Sequence, residues 1–330
     1  MSVPLLSVVI PTYNRESALA MLLEDINVVL QNHHLKVQIV ICNNASTDGT
    51  PALIESYRLR WGNSLKVITR KVNIGMEGNI ACSILDADGK YIWMLSDHQR
   101  LCVPEVINVI HRMTQLEFDV GHAKLVQWSA VLPNNTEVVT WANLSLRQRG
   151  ALLFSITNLS TLIFKRSISE KAIKSIFNSC IWGFPHLGII SQINELTRLI
   201  EFNNMSKLPN ANKGGKLVYD YDVIFTRYYY SSVCVGSLAK KTGINFSYNG
   251  FYSAEYRASF VGDVLNYLVQ PEVNRRQAIN ALLPIALINP LGLKVIALFV
   301  LFSILAVPKN IRINIAERVR HLIIKWRLRG

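Results

Sequence analysis

The sequence predicts an α/β protein: a doubly wound, mostly parallel sheet with a helical appendage at its C-terminal end. Three observations lead there. Short, unbroken apolar runs alternate with helix-spaced segments from Leu6 to Leu95. Each run stops abruptly in a polar cluster. A long apolar stretch from Ala278 to Val307 then leads into a basic tail.

Composition sets the outer bounds. A chain of 330 residues, 50% hydrophobic and 17% charged, has room for one large α/β domain and an appendage. Mean hydropathy is +0.23, and the apolar excess lies in the C-terminal stretch. The net charge of +13 favours anionic partners such as phosphates, nucleic acid or an acidic membrane face. Five scattered cysteines lack metal-ligand spacing and read as reduced thiols, with Cys42 and Cys82 as small core residues. Met1-Ser2-Val3 has no basic start of the kind a signal peptide carries.

Leu6-Ser7-Val8-Val9-Ile10 is the first strand, stopped by Pro11. Pro11-Thr12-Tyr13-Asn14-Arg15 follows as a loop, with Asn14 or Ser17 placed to cap the next helix. That helix, Glu16 to Gln31, puts Leu19, Leu22, Leu23, Ile26 and Leu30 on one face. Val37 to Cys42 is the second strand. The polar turn Asn43 to Thr50 leads into a helix with Pro51 in its first turn. Leu65 to Ile68 is the third strand.

The next stretch organises the rest. Asn73, Gly75 and Gly78 read as a loop, where glycine permits positive φ or close approach of a ligand. Ile80, Ile84 and Leu85 then recur at helical spacing, and Asp88-Gly89 marks a turn. Tyr91 to Leu95 is the fourth strand, apolar throughout as expected of one buried on both faces. It ends in Ser96-Asp97-His98-Gln99-Arg100. Open α/β sheets take ligands at the carboxyl ends of such strands, so a nucleotide-sized ligand is expected there. Pro11-Thr12-Tyr13-Asn14 stands where a dinucleotide dehydrogenase would carry G-x-G-x-x-G.

These residues carry a family resemblance. Ser7 to Arg15 resembles the opening of family 2 glycosyltransferases with the GT-A fold. Asn44-Ala45-Ser46-Thr47-Asp48-Gly49-Thr50, then Asn73-Ile74-Gly75 with Asn79, then Leu95-Ser96-Asp97 follow in that family's order. The resemblance implies a nucleotide-sugar-binding half over 1–105 and an acceptor-binding half over 106–274. It implies that Pro11, Thr12, Tyr13, Asn14, Asn43, Ser46, Asp48, Asn73, Gly75, Asn79, Ser96 and Asp97 hold the donor. Asp97 would belong to a D-x-D type motif for the sugar diphosphate and its Mg²⁺ or Mn²⁺. The departing diphosphate gathers negative charge, which a hard divalent cation on carboxylate and phosphate oxygens neutralises.

Two positions depart from the family pattern. Gln99 replaces the second carboxylate, and its amide oxygen is a weaker ligand. Metal at Asp97 and Gln99, a histidine ligand, or compensation by Arg70, Lys71 and Arg100 are the alternatives. Asn43 stands where the family commonly reads a uracil or thymine imide with a carboxylate. An amide either accepts or donates, so the base stays open. Asp48 also reads as a helix cap.

The second half is less regular. Pro104 opens a helix to Met113, Val120 to Leu132 and Glu137 to Trp141 read as strands, and Ser160 to Arg166 resembles the family strand leading to the acceptor half. Trp182-Gly183-Phe184-Pro185-His186-Leu187 resembles an aromatic-Pro-His pattern of members that build bacterial surface polysaccharides, at the helix start where the family's base lies. His186 is therefore the candidate catalytic base, its ordinary pKa suiting proton removal near neutrality. A core or capping histidine is the competing reading, and Glu195, further along the same helix, the alternative base. Asp220-Tyr221-Asp222 mimics a D-x-D but reads as a loop, and the Tyr-rich stretches around it read as packing.

The tail, 275–330, reads as membrane-associating. Val295 to Val307 falls short of the ~20 residues a span needs. Arg275-Arg276 precede the apolar stretch, and Lys309, Arg312, Arg318, Arg320, Lys325, Arg327 and Arg329 follow it. Basic flanks on both sides favour a re-entrant or interfacial hairpin turned at Asn289-Pro290. Ile315, Val319, Leu322, Ile323 and Trp326 share a helical face, which favours lipid over nucleic acid. A dimer surface or core helix pair is the rival reading. The family resemblance implies an inverting glycosyltransferase that moves a sugar from a nucleotide-sugar donor to a glycan or lipid-linked acceptor in surface polysaccharide synthesis, and the tail predicts that it is peripheral or monotopic at the cytoplasmic membrane face. Asn43 and Gln99 motivate one alternative: a catalytically degenerate donor-binding or scaffold protein.

Overall fold

The structure, a computed structural model, describes residues 3–31, 36–125, 132, 137–156 and 158–207. The Asp220-Tyr221-Asp222 motif, the aromatic stretches after it and the tail lie outside the described residues. The first half follows β1 (Leu6–Thr12), α1 (Glu16–Leu30), β2 (Val37–Asn43), α2 (Thr50–Trp61), β3 (Leu65–Thr69), α3 (Gly75–Leu85) and β4 (Tyr91–Met94). The second runs β5 (Arg100–Leu101), α4 (Val103–Met113), β6 (Val120–Leu125), β7 (Val139–Thr140), α5 (Leu146–Ser155), β8 (Leu162–Lys165), α6 (Arg166–Asn178), a 3₁₀ segment (Pro185–Gln192) and β9 (Arg198–Lys207).

One sheet joins these strands in the order β3-β2-β1-β4-β8-β6-β9-β5, with β7 beside β9. Helices cover both faces, so the strands of the first half are apolar on both sides. On one face α1, α2 and α4 pack over Leu6, Val8, Ile10, Ile39, Ile41, Tyr91, Trp93 and Leu95. On the other, α3 lies against β1 and β2 and beside α6 and the 3₁₀ segment. Trp93 is fully buried, and its indole N–H finds the Ser160 carbonyl at 2.8 Å.

The expected mostly parallel sheet holds only for half of it. β1, β2, β3 and β4 are parallel, as are β6 and β9, but β8 runs antiparallel to both β4 and β6. β5 and β7 are antiparallel to β9, so the sheet is mixed. The reason lies at the β4 edge. The Ser96 amide bonds the Ser160 hydroxyl at 3.0 Å, so the chain enters β8 at the edge where β4 ends and must run back.

Several boundaries move. Gly78 lies inside α3 rather than in a loop, with the Ile74 side chain beside it. Of the Glu137–Trp141 stretch only Val139 and Thr140 form strand, and Trp141 begins a 3₁₀ turn. β6 covers Val120–Leu125 of the expected Val120–Leu132, and residues 126–131 lie outside the described residues. Pro185 opens a 3₁₀ segment that ends at Gln192, so Glu195 is not on a shared helix with His186. That exposed carboxylate pairs instead with Arg149 at 3.4 Å. β9, which runs beside both β6 and β5, has no counterpart in the sequence expectation.

The 3₁₀ segment is seated by one glycine. A Cβ on Gly188 would stand 2.4 Å from the Ile176 amide nitrogen and 2.5 Å from its Cα. These are backbone atoms of α6, which no rotamer change can move. Gly188→Ala is expected to cost about 1–3 kcal/mol in denaturant unfolding, the ordinary cost of overpacking. A variant as stable as the parent would show that the segment does not rest on α6.

Candidate active site

From β1 the chain steps to β2 and β3 on one side, then returns to lay β4 on the other. That reversal is a topological switch point, and the crevice outside its carboxyl ends is where such sheets bind ligands. Thr12 closes β1 there. Its Oγ1 donates to Asp97 Oδ2 at 2.9 Å, and both side chains are nearly buried. Asp97 lies in a turn after β4, closed by the Gln99 amide on the Ser96 carbonyl at 3.1 Å. His98 Nδ1 is 2.9 Å from Ser96 Oγ and 3.5 Å from Asp97 Oδ1.

The turn is tethered on its far side as well. Arg100 grips Asp25 of α1 through two bonds of 2.7 and 2.6 Å. The Leu101 amide donates to the same carboxylate at 2.9 Å. Arg100 is thereby committed and does not serve as a diphosphate counter-charge. Arg70 is committed too: its guanidinium meets Asp86 at 2.7 Å and Asn79 Oδ1 at 3.5 Å.

Three loops at the strand ends brace one another. Asn14 and Ala45 adopt positive φ of 51° and 61°. The Asn14 amide donates to Ser46 Oγ at 2.9 Å, and the Thr47 amide returns a bond to Asn14 Oδ1 at 2.8 Å. Asn44 does the same between the β2 and β3 loops. Its Nδ2 donates to Asn73 Oδ1 at 2.8 Å and to the Gly75 carbonyl at 3.1 Å, while its Oδ1 accepts from the Ile74 amide at 3.0 Å. Gly75, with φ 78°, completes the turn by donating to Asn73 Oδ1 at 2.9 Å. Asn43 Oδ1 accepts from the Ser46 amide at 3.0 Å.

The predicted donor-binding residues thus divide. Pro11, Thr12, Tyr13, Asn14, Asn43, Ser46, Asn73, Gly75, Ser96 and Asp97 cluster at the carboxyl edge, with Tyr13 exposed. Asn79 lies beneath it, 2% exposed, its Nδ2 holding the Cys42 carbonyl at 2.9 Å. It supports the cradle from below. Asp48 caps. Its Oδ1 accepts from the Thr50 amide at 3.0 Å and its Oδ2 from the Glu16 amide at 3.3 Å, joining the starts of α2 and α1. Reasoning from sequence missed Asn44, although an Asn-Asn pair closing a buried strand signals such bracing. Asp25, an acid on an otherwise apolar helix face, was the other missed signal.

Two catalytic expectations are corrected. Gln99 is 1% exposed and turned toward β9, its Nε2 donating to Ser206 Oγ at 3.3 Å. Its Oε1 is sealed from solvent, so it is not poised as a second metal ligand. His186 is 3% exposed in the core between α5 and α6. Its Nε2 stands 3.1 Å from the Ile156 carbonyl, which can only accept, so that nitrogen carries a proton and is no base. Among the described residues no cluster of three His, Cys, Asp or Glu side chains could hold a metal ion by itself. One carboxylate with His98 beside it still fits Mg²⁺ or Mn²⁺ of the kind that takes most of its shell from phosphate and water.

Asp48 makes a titration test possible. Burial would raise its carboxyl pKa, but the bonds from Thr50 and Glu16 outweigh that and hold it below the ordinary carboxylate range. A lowered folded pKa gives stability that is present above the unfolded value, about 3.9, and is lost as pH falls through the folded one. Asp48→Asn is expected to unfold about 0.5–1 kcal/mol more easily at pH 7, with the gap closing on acidification. A gap constant from pH 7 to pH 3 would remove the charge from the two helix starts.

The glycosyl transferase family 2 profile matches residues 7–143. Abequosyltransferase RfbV of Salmonella typhimurium is 36% identical over 97 residues, 29% of each chain. The putative glycosyltransferase EpsE of Bacillus subtilis is 31% identical over 89 residues, covering 27% of this chain and 31% of its own. Less than a third of these relatives' own length is therefore matched. Among solved structures, the mannosyltransferase PcManGT of Pyrobaculum calidifontis, in complex with GDP-Man and Mn²⁺, superposes with a TM-score of 0.51 at 14% identity. That superposition covers 98% of this chain and 88% of PcManGT, and it concerns the fold. The segment that matches the glycosyl transferase family 2 model thus takes in the strand ends and loops around Asp97 described above.

Proposed function

We propose that the protein is an inverting glycosyltransferase that moves a sugar from a nucleotide-sugar donor to an acceptor hydroxyl. One observation carries the reading: Asp97 follows β4 at the carboxyl edge of the sheet, beside the switch point, with its carboxylate held by Thr12. A diphosphate leaving group placed there would gather charge beside that carboxylate, and a divalent cation shared between them would neutralise it. The chain's own part is positional. Thr12 orients the carboxylate, the Ser160 hydroxyl pins the turn at Ser96, and the braced loops hold the nucleoside flank rigid before substrate arrives.

The acceptor is proposed to be a lipid-linked glycan in surface polysaccharide synthesis, with the protein at the cytoplasmic membrane face. The basic and apolar tail motivates this, and similarity to an abequosyltransferase supports the transfer of a sugar. Among the described residues no helix is long and apolar enough to cross a membrane, so the membrane reading rests on the tail's composition.

Asp97→Asn keeps the side chain's shape and an oxygen for Thr12 but removes the charge. It is expected to lower sugar transfer at least about 100-fold with an unchanged circular dichroism spectrum. Transfer at the parental rate would end the proposal for Asp97. For the membrane half, the protein in isolated membranes is expected to resist extraction by molar salt and to yield to detergent. Release by salt alone would contradict insertion of 278–307.

A further inference from the structure

We propose that Asp25 is a positioning residue for sugar transfer, acting on Asp97 through Arg100. This rests on the reading of Asp97 given above. Asp25 lies on α1, one helical turn from Leu22 and Val29, both buried against the sheet. Its carboxylate takes three bonds from one short segment. Oδ2 accepts from Arg100 Nε at 2.7 Å and from the Leu101 amide at 2.9 Å, and Oδ1 accepts from Arg100 Nη2 at 2.6 Å. A two-point grip between carboxylate and guanidinium fixes direction as well as distance.

The segment Asp25 holds is the far foot of the Asp97 turn. Only His98 and Gln99 separate Asp97 from Arg100, and the Gln99 amide closes the turn on the Ser96 carbonyl at 3.1 Å. A shift at Arg100 therefore carries Asp97 with it. The Asp97 carboxylate itself is held by Thr12 at 2.9 Å. Thr12 ends β1 and Glu16 begins α1, so both grips come from one continuous strand–helix unit. They bracket the turn, one at Asp97 and one at Arg100 and Leu101. The backbone adds little there, because β5 pairs with β9 through Arg100 and Leu101 alone.

Magnitudes assign the pair to rate rather than to folding. The Arg100 side chain is 38% exposed, and ion pairs open to water in this way contribute little to stability. Geometry is far more sensitive: misplacing a group at the reacting centre by about 1 Å costs about 100-fold in rate. The diphosphate gathers its extra charge only as the bond to the sugar breaks. A displaced Asp97 is therefore felt in the transition state more than in donor binding, and the loss falls on kcat rather than KM.

The test measures nucleoside diphosphate release by the full chain from UDP-glucose, UDP-GlcNAc, GDP-mannose, dTDP-glucose and CDP-glucose with Mg²⁺, and carries the donor cleaved fastest to the variants. Asp25→Asn keeps an oxygen for the Leu101 amide but loses the charge that grips Arg100. It is expected to lower kcat about tenfold or more, with the donor KM within about threefold and the urea midpoint close to the parent's. Asp25→Glu keeps the charge and is expected to hold kcat within about threefold of the parent. Arg100→Lys keeps its charge without the two-point grip and is expected to show the same split, which decides the matter if Asp25→Asn does not fold. The double variant Asp25→Asn/Arg100→Lys is expected to lose no more than the worse single one, since the two residues act as a unit. Parental kcat in Asp25→Asn or Arg100→Lys overturns the proposal, as do a rise in KM alone and losses that multiply in the double variant. All of these leave the transferase reading standing. A parent that cleaves none of the five donors overturns that reading and this proposal with it.

Discussion

Parallel strands covered on both faces have one open problem, which is how they end. Inside the sheet every amide and carbonyl is paired, but at the carboxyl edge the chain must turn away while still buried, and its last polar groups need partners. In this protein asparagine side chains supply them. Asn44 completes the turn at Asn73 and Gly75, Asn79 holds the Cys42 carbonyl, and Asn43 holds the Ser46 amide. The rest of the site stands on this arrangement.

The same residues that solve a folding problem therefore set the chemistry of the crevice. An amide has two faces of opposite character, and using one for structure leaves the other on display. Where the fold takes the oxygen, as at Asn43, only the amide's donor end is left over. Where it takes a hydroxyl hydrogen, as at Thr12, a carboxylate is fixed at the carboxyl edge of the sheet. Carboxylates recruited for structure are lost to the crevice: Asp25, Asp48 and Asp86 are all engaged by backbone amides or arginine. Asp97 stays at the edge with a hydroxyl and an imidazole for neighbours.

The first half of the fold could be read from sequence because its signals are local. Runs such as Val8-Val9-Ile10 and Tyr91 to Leu95 have no polar residue, which fits only strands covered on both sides, and Asp97 follows the second run directly. The second half depends on pairings between distant segments. Nothing near Arg198 announces that it will open a long strand beside β6, because its partners in β6 lie 79 or more residues away. Leu162–Lys165 looks the same whether it runs with β4 or against it; the Ser160 hydroxyl bonded to Ser96 decides the direction. His186 misled for a related reason. An aromatic-Pro-His run suits a helix start facing a cleft, but Gly188 lets the segment sink onto α6 and takes the imidazole into the core.

Asp25 gives the architecture an asymmetry. It lies on a helix whose other buried residues merely roof the sheet, yet it receives a guanidinium and a main-chain amide from the segment just past the Asp97 turn. The far side of the Asp97 turn is thus tied to α1, while its near side leans on Ser160 from the later half. A turn moored to both halves cannot drift with either, so the position of Asp97 is set jointly by α1 and by the Ser160 turn.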